Sequence, residues 1–165
     1  MVKALFITRA QPFHKGHLHA IKEAMKKFDE LVIGIGSSNE SNTWKNPFSF
    51  EERVEMIKRA GVRCKVIGIP DVESDKKWVK QILEMEDFDV VITGSEWVKR
   101  CFSGIKEVRK PNFLLLEIYN GTRIKEKIVR DEEWEDLVPR KVANFIKKLG
   151  GTKRIKKLAE KELEF

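Results

Sequence analysis

The chain has 165 residues, 41% of them apolar, enough for one domain of ordinary size with a sizeable core. No apolar run approaches the length of a bilayer span, and the apolar opening Ala4–Ile7 is short and meets Arg9 almost at once, which reads as a first strand and not as a signal peptide. The net charge of +7 is uneven: residues 140–165 hold nine Lys and Arg against three Glu, so the basic balance belongs to a C-terminal segment and not to a face of the whole domain. That segment reads as a solvated helix, with nucleic-acid binding as the alternative. Cys64 and Cys101 are far apart and fit no metal or redox spacing, as expected of two thiols in a reducing cytoplasm. Abundant Lys and Glu beside only two Gln is a composition of thermophilic proteins.

In chain order, Val2–Thr8 is a short run of β-formers and predicts a buried strand. Leu18, Ile21, Ala24, Met25 and Phe28 recur at helical spacing, so a helix begins near Gly16 or His17. Leu31–Gly36 predicts a second strand, and the Gly, Ser and Asn residues up to Asn39 a loop. Ser49 followed by Glu52 is a capping box opening a helix to about Ala60. Lys65–Ile69 predicts a third strand, stopped by Pro70. Trp78, Val79, Ile82 and Leu83 mark a helix, Asp89–Thr93 a fourth strand and Phe113–Ile118 a fifth. Gly121 to Arg130 reads as a short helix, Pro139 to Leu149 as another that Gly150 and Gly151 stop, and Lys153–Leu163 as a last basic one. Five strands separated by helices predict an α/β fold: a doubly wound, parallel, Rossmann-like sheet with C-terminal helices. In such sheets ligands bind beyond the carboxyl ends of the strands, which directs attention to the loops after the first, second and fourth strands.

All three histidines lie between residues 14 and 19, where His14-Lys15-Gly16-His17 follows the first strand and opens the first helix. A helix N-terminus offers unpaired N–H groups and partial positive charge, which attract phosphate. Two imidazoles across that start can serve one anion, Gly16 lets phosphate approach the backbone, and Arg9, Gln11 and Lys15 add donors while Pro12 stiffens the turn. The expectation is a cationic cradle for a triphosphate. A zinc site would need further Cys or His ligands, and the chain has none at suitable spacing.

The stretch Thr8-Arg9-Ala10-Gln11-Pro12-Phe13-His14-Lys15-Gly16-His17-Leu18 resembles the G-R-F-Q-P-F-H-x-G-H-L motif of archaeal-type nicotinamide mononucleotide (NMN) adenylyltransferases, within the H-x-G-H nucleotidyltransferase superfamily. Residues 34–53 are similar to the family's G-I-G-S-x-x-x-S-x-T-x-x-N-P-F-T-x-x-E-R, and Asp71–Val79 to its D-I-E-x-N-x-x-W-V, with Asp75 for Asn. Thr93-Gly94-Ser95-Glu96 resembles S-G-N-P, and Asn120-Gly121-Thr122-Arg123-Ile124-Lys125 resembles S-G-T-E-I-R, with Asn for Ser and Lys for Arg. Trp134–Pro139 is similar to W-E-x-L-V-P, a structural stretch.

The resemblance implies a nucleotidyltransferase domain over residues 1–150 with the basic helix 151–165 as part of the same domain. It implies ATP and NMN as substrates, NAD and pyrophosphate as products, and Mg²⁺ bridging nucleotide phosphates without protein ligands. It also implies a homo-oligomer and gives no reason to expect a membrane or nucleic-acid partner. Carried over by position, His14, His17, Arg9 and Lys125 are the catalytic candidates. Thr8, Gln11, Phe13, Gly16, Gly94, Asn120, Gly121, Thr122 and Arg123 are candidates for ATP. Gly36, Ser37, Ser41, Thr43, Lys45, Asn46 and Trp78 are candidates for NMN, with Lys45 on phosphate and Trp78 stacked on the nicotinamide ring. Read from its residues alone, Trp78 has the alternative of a core position on an amphipathic helix, and Arg53 that of a partner for a helix acid. Other acceptors (nicotinate mononucleotide, phosphopantetheine), CTP as donor, and a non-catalytic nucleotide-sensing or nucleic-acid-binding module remain the alternatives.

Overall fold

In the structure, a computed structural model that describes residues 1–163, five parallel strands lie in the order β3-β2-β1-β4-β5. They are β1 (Lys3–Thr8), β2 (Glu30–Gly36), β3 (Lys65–Ile69), β4 (Val90–Ile92) and β5 (Glu107–Arg109). The register aligns Thr8 with Ile35 and Gly36 with Ile69, so the carboxyl ends of the three longest strands finish together. This is the Rossmann-like order, in which the chain reverses direction across β1. Helices α1 (Lys15–Lys27), α2 (Phe50–Arg59), α3 (Asp75–Met85), α4 (Glu96–Phe102), α5 (Gly121–Val129), α6 (Arg140–Lys148) and α7 (Gly151–Leu163) complete the described chain, with a 3-10 turn at Glu135–Leu137.

The fifth strand is not where the apolar pattern places it. Phe113–Ile118 forms no strand: the N–H groups of Ile118 and Tyr119 both donate to the Leu115 carbonyl at 2.9 Å, a turn, and Leu115 and Leu116 stand half exposed. The strand is the polar triplet Glu107-Val108-Arg109, paired in register with Val90–Ile92. Local preference for β structure marks residues that suit a strand, whereas pairing is decided by tertiary neighbours. At the edge of a sheet one inward Val suffices. Helix α4 is too short for its periodicity to announce it, and it is capped by Ser95, whose side chain accepts the Val98 N–H. Helix α7 starts at Gly151, two residues before the basic run. A Cβ there would lie 2.8 Å from Ile146 Cγ2 and 3.1 Å from Phe48 Cε1, so the contact requires glycine.

The chain divides into two compact units. The first holds the sheet, the second half of α1, and α3 and α4. Its core gathers Leu5, Ile7, Val32, Ile69 and Val91 from the strands against Trp78, Val79 and Ile82 of α3 and Val98 and Phe102 of α4. The period of two along β1 turns Ala4 and Phe6 to the opposite face. There Ala20, Ala24 and Phe28 of α1 share a small cleft with Ile92 and Arg109. The second unit comprises residues 10–19, residues 40–63 and the chain from Phe113 onward. Its buried side chains include Phe13, Phe48, Met56, Ile57, Ile124, Ile128, Ile146, Ile155 and Leu158.

Candidate active site

In the first unit the candidate residues collect at the carboxyl ends of the strands. Thr8 ends β1 and Arg9 follows it, with its Cγ 3.6 Å from where a Cβ on Gly36 would stand, so the missing side chain at the end of β2 makes room for the arginine stem. Ser37 has φ 50°, a conformation costly for a non-glycine residue. Its hydroxyl donates to Asp71 Oδ1 at 3.0 Å, and the Asp71 N–H donates to Asn39 Oδ1 at 2.8 Å, which ties the loops after β2 and β3. Gly94 is exposed after β4, where the Thr93 hydroxyl accepts the Ser95 N–H.

Trp78 does not offer a ring face for stacking. It is 3% exposed, because the Trp78, Val79 and Ile82 stripe of α3 packs into the sheet core. Trp97 lies against it at 4.6 Å between centroids and 52°, and Phe102 meets its edge. The exposed aromatic of this pair is Trp97, whose indole N–H donates to Asp75 Oδ1 at 3.3 Å. No motif in the sequence singles Trp97 out.

In the second unit the H-x-G-H element resolves into a capping device. His14 is the residue before α1, and its Nδ1 accepts the backbone N–H groups of Gly16 (3.1 Å) and His17 (3.4 Å). His17, three positions on, returns the bond: its Nδ1 accepts the His14 N–H at 3.1 Å. This is the reciprocal geometry of a capping box, built from two imidazoles. Gly16 is required by it, since a Cβ would stand 2.9 Å from His14 Cε1. The rings stack at 3.6 Å and 22°, and Phe13, fully buried, stacks behind His17 at 5.4 Å.

Two consequences follow for charge and tautomer. Burial depresses the His14 pKa to about 4, and burial together with the neighbouring His14 holds His17 well below its ordinary value. Both imidazoles are therefore neutral at pH 7. Each Nδ1 accepts a backbone N–H and so carries no proton, which puts the proton of each neutral ring on Nε2. Neither Nε2 has a protein partner among the described residues. The pair thus supplies two fixed N–H donors at a helix N-terminus.

A second helix start meets this one. Asn120 caps α5, its Oδ1 accepting the Arg123 N–H at 2.8 Å and its amide donating to the Leu116 carbonyl. A Cβ on Gly121 would lie 2.8 Å from the Gln11 carbonyl oxygen, and one on Gly16 would lie 3.1 Å from Tyr119 Cβ, so two glycines let the two N-termini touch. Thr122 and Arg123 are exposed in the first turn of α5. Gln11 acts structurally, its amide donating to the Phe48 carbonyl and accepting the Phe48 N–H, both at 2.9 Å. Lys125 is 5% exposed and donates to the carbonyls of Trp44 (2.7 Å) and Lys45 (3.5 Å), with its ammonium 5.0 Å from the Trp44 ring. These bonds make it a clamp on a loop, where the family motif suggests a phosphate contact.

That loop carries the remaining candidates. Ser41 and Lys45 are exposed. Thr43 closes a turn with Asn46, its N–H donating to the Asn46 carbonyl and its hydroxyl accepting the Asn46 N–H. Asn46 is 6% exposed, and its buried side-chain oxygen has no partner among the described residues. Arg53 is fully buried, and its guanidinium donates to the Ser49 and Glu40 carbonyls. Nothing in the sequence pattern marks Trp44, Arg154 and Glu162 as a set, because their partners lie up to 118 residues away.

The sheet order and the twin helix starts around a capped histidine pair define a class, and the comparisons with known proteins agree with it. A cytidylyltransferase-like family model matches residues 5–150. The nicotinamide-nucleotide adenylyltransferase of Pyrococcus horikoshii is 39% identical over 99% of this chain and 96% of its own, and that of Methanococcus aeolicus 40% identical over 99% and 98%. Among solved structures, a bifunctional NMN adenylyltransferase/ADP ribose pyrophosphatase from Francisella tularensis, complexed with AMP and a manganese ion, superposes with a TM-score of 0.78 at 25% identity. That match covers 95% of this chain and 51% of the Francisella chain, so the present chain spans about half of that longer protein. The chain belongs to the nicotinamide-nucleotide adenylyltransferase family of the cytidylyltransferase-like nucleotidyltransferases.

Proposed function

We propose that the chain transfers AMP from ATP to NMN, giving NAD and pyrophosphate, in the cytoplasm, where Cys64 and Cys101 stay free thiols. The observation that carries the reading is the histidine capping box, which fixes two neutral Nε2–H donors beside the N-termini of α1 and α5. An oxygen of the acceptor phosphate attacks the α-phosphorus of ATP, a new P–O bond forms, the bond from the α-phosphorus to the bridging oxygen breaks, and pyrophosphate leaves. A phosphate monoester with a second pKa near about 6 is already largely dianionic at neutral pH, so no general base is needed. The rate then comes from positioning and from donors aimed at growing negative charge. Neutral donors held in a buried site suit this, because they bind an anion without first being protonated.

His14 and His17 would donate to the triphosphate, joined by the N–H groups and side chains of Thr122 and Arg123. Lys45 and Asn46 would take the acceptor. Among the described residues no group of three or more His, Cys, Asp or Glu side chains is placed to hold a metal. A Mg²⁺ ion carried by the nucleotide's phosphates and water would supply charge neutralisation.

The test is purified protein with ATP, NMN and Mg²⁺, with nicotinate mononucleotide, phosphopantetheine and CTP in parallel. NAD should form fastest from ATP and NMN, and His17→Ala should lower kcat about 10²–10³-fold, the usual loss for one such donor. Full activity in His17→Ala, or no NAD from the wild type, overturns the reading.

A further inference from the structure

The loop from residue 40 to 49 has no helix or strand of its own, yet three helices hold its backbone. From α2, Arg53 donates to the carbonyls of Glu40 and Ser49. From α5, Lys125 donates to the Trp44 carbonyl at 2.7 Å. From α7, Glu162 accepts the Trp44 N–H at 2.9 Å, so the residue is gripped at both of its backbone groups from different helices. Arg154, also on α7, donates to the Pro47 carbonyl at 3.0 Å and makes a bidentate pair with Glu52 at 2.6 and 2.9 Å. Glu52 is itself part of the capping box at Ser49, which ends the loop. The pairing is strong in both directions: Arg154 holds the Glu52 carboxyl below its ordinary range, and Glu52 raises the arginine. Bonds in which one partner is charged are about twice as strong as neutral ones.

We propose that Arg154 and Glu162 are positioning residues for the acceptor: α7 preforms the loop that carries Ser41, Thr43, Lys45 and Asn46, so the acceptor meets a loop already ordered. This rests on the assignment of that loop to NMN. Ordering a loop at the moment of binding weakens affinity, so loosening the grip appears in the KM of one substrate only.

The experiment compares full-length Arg154→Met, Glu162→Ala and Glu162→Gln with the wild type in steady-state kinetics and by hydrogen exchange at the Trp44 amide. Glu162→Ala should raise the KM for NMN about tenfold, the loss of one charge-assisted bond, and Arg154→Met, which loses three, at least as much, while kcat and the KM for ATP stay within about twofold. Glu162→Gln should restore the KM, because its carbonyl oxygen still accepts the Trp44 N–H. Exchange at Trp44 should quicken in Glu162→Ala and not in Glu162→Gln. An unchanged KM for NMN, equal rises for NMN and ATP, or unchanged exchange at Trp44 overturns the proposal. If the wild type makes no NAD, the reaction assigned above fails, while the exchange measurement still decides whether α7 orders the loop.

Discussion

At the scale of residues, the histidine pair is the centre of the account. The H-x-G-H spacing is legible in the sequence because a cap and its third helical residue are a local relation. Its charge state is not, because the burial of both rings is set by the fold. The difference has a measurable sign. In the unfolded chain His14 titrates near 6.5, and in the native protein near 4. Between those values the unfolded state binds the extra proton, so stability rises with pH across the interval and falls on acidification. The His14 shift corresponds to about 3 kcal/mol over that range. Urea unfolding should therefore show stability level above pH 7 and declining from pH 6.5 to 4, with a shallower decline in His14→Gln. A stability independent of pH over that interval would contradict the buried, neutral assignment. Trp78 teaches the converse lesson. Its motif position suggests a stacking face, but its helical stripe with Val79 and Ile82 buries it, and only the structure shows Trp97 standing outside it.

At the scale of elements, the caps were the most legible features. Ser49 with Glu52 opens α2 as a capping box, and Asn120 caps α5 in place of the family's serine. The first can be read because Ser49 and its partner Glu52 are three residues apart. Strand β5 was not legible, because Glu107–Arg109 has no apolar run, while Phe113–Ile118 has the run but turns back on Leu115. The contact between the two helix starts was equally hidden, since it depends on Gly121 meeting the backbone of Gln11. In Gly121→Ala the new Cβ would sit 2.8 Å from a backbone oxygen, which has no flexible end to move aside. The start of α5 must shift, and activity should fall about tenfold or more through misplacement of the anion donors, as small displacements at a site do. Circular dichroism should show the helix content retained. Unaltered activity in Gly121→Ala would mean that the meeting of the two helix starts has no part in catalysis.

At the largest scale, the α/β class and the parallel sheet followed from alternating strands and helices, and the structure has that sheet in the order β3-β2-β1-β4-β5. The basic C-terminal helix was legible as a helix but not as a partner of the loop at residues 40–49, because Arg154 and Glu162 reach residues more than a hundred positions earlier. Its charge reads as a surface property in the sequence and as an anchor in the fold. No helix among the described residues is long and apolar enough to cross a membrane. In the proposed reaction the acceptor's own phosphate oxygen attacks the α-phosphorus of ATP. The direct measurement uses NMN labelled with heavy oxygen in its phosphate and follows the label by mass spectrometry. All of it should appear in NAD and none in pyrophosphate, with one pyrophosphate released per NAD formed. Label in pyrophosphate, or pyrophosphate released without NAD, would contradict the account.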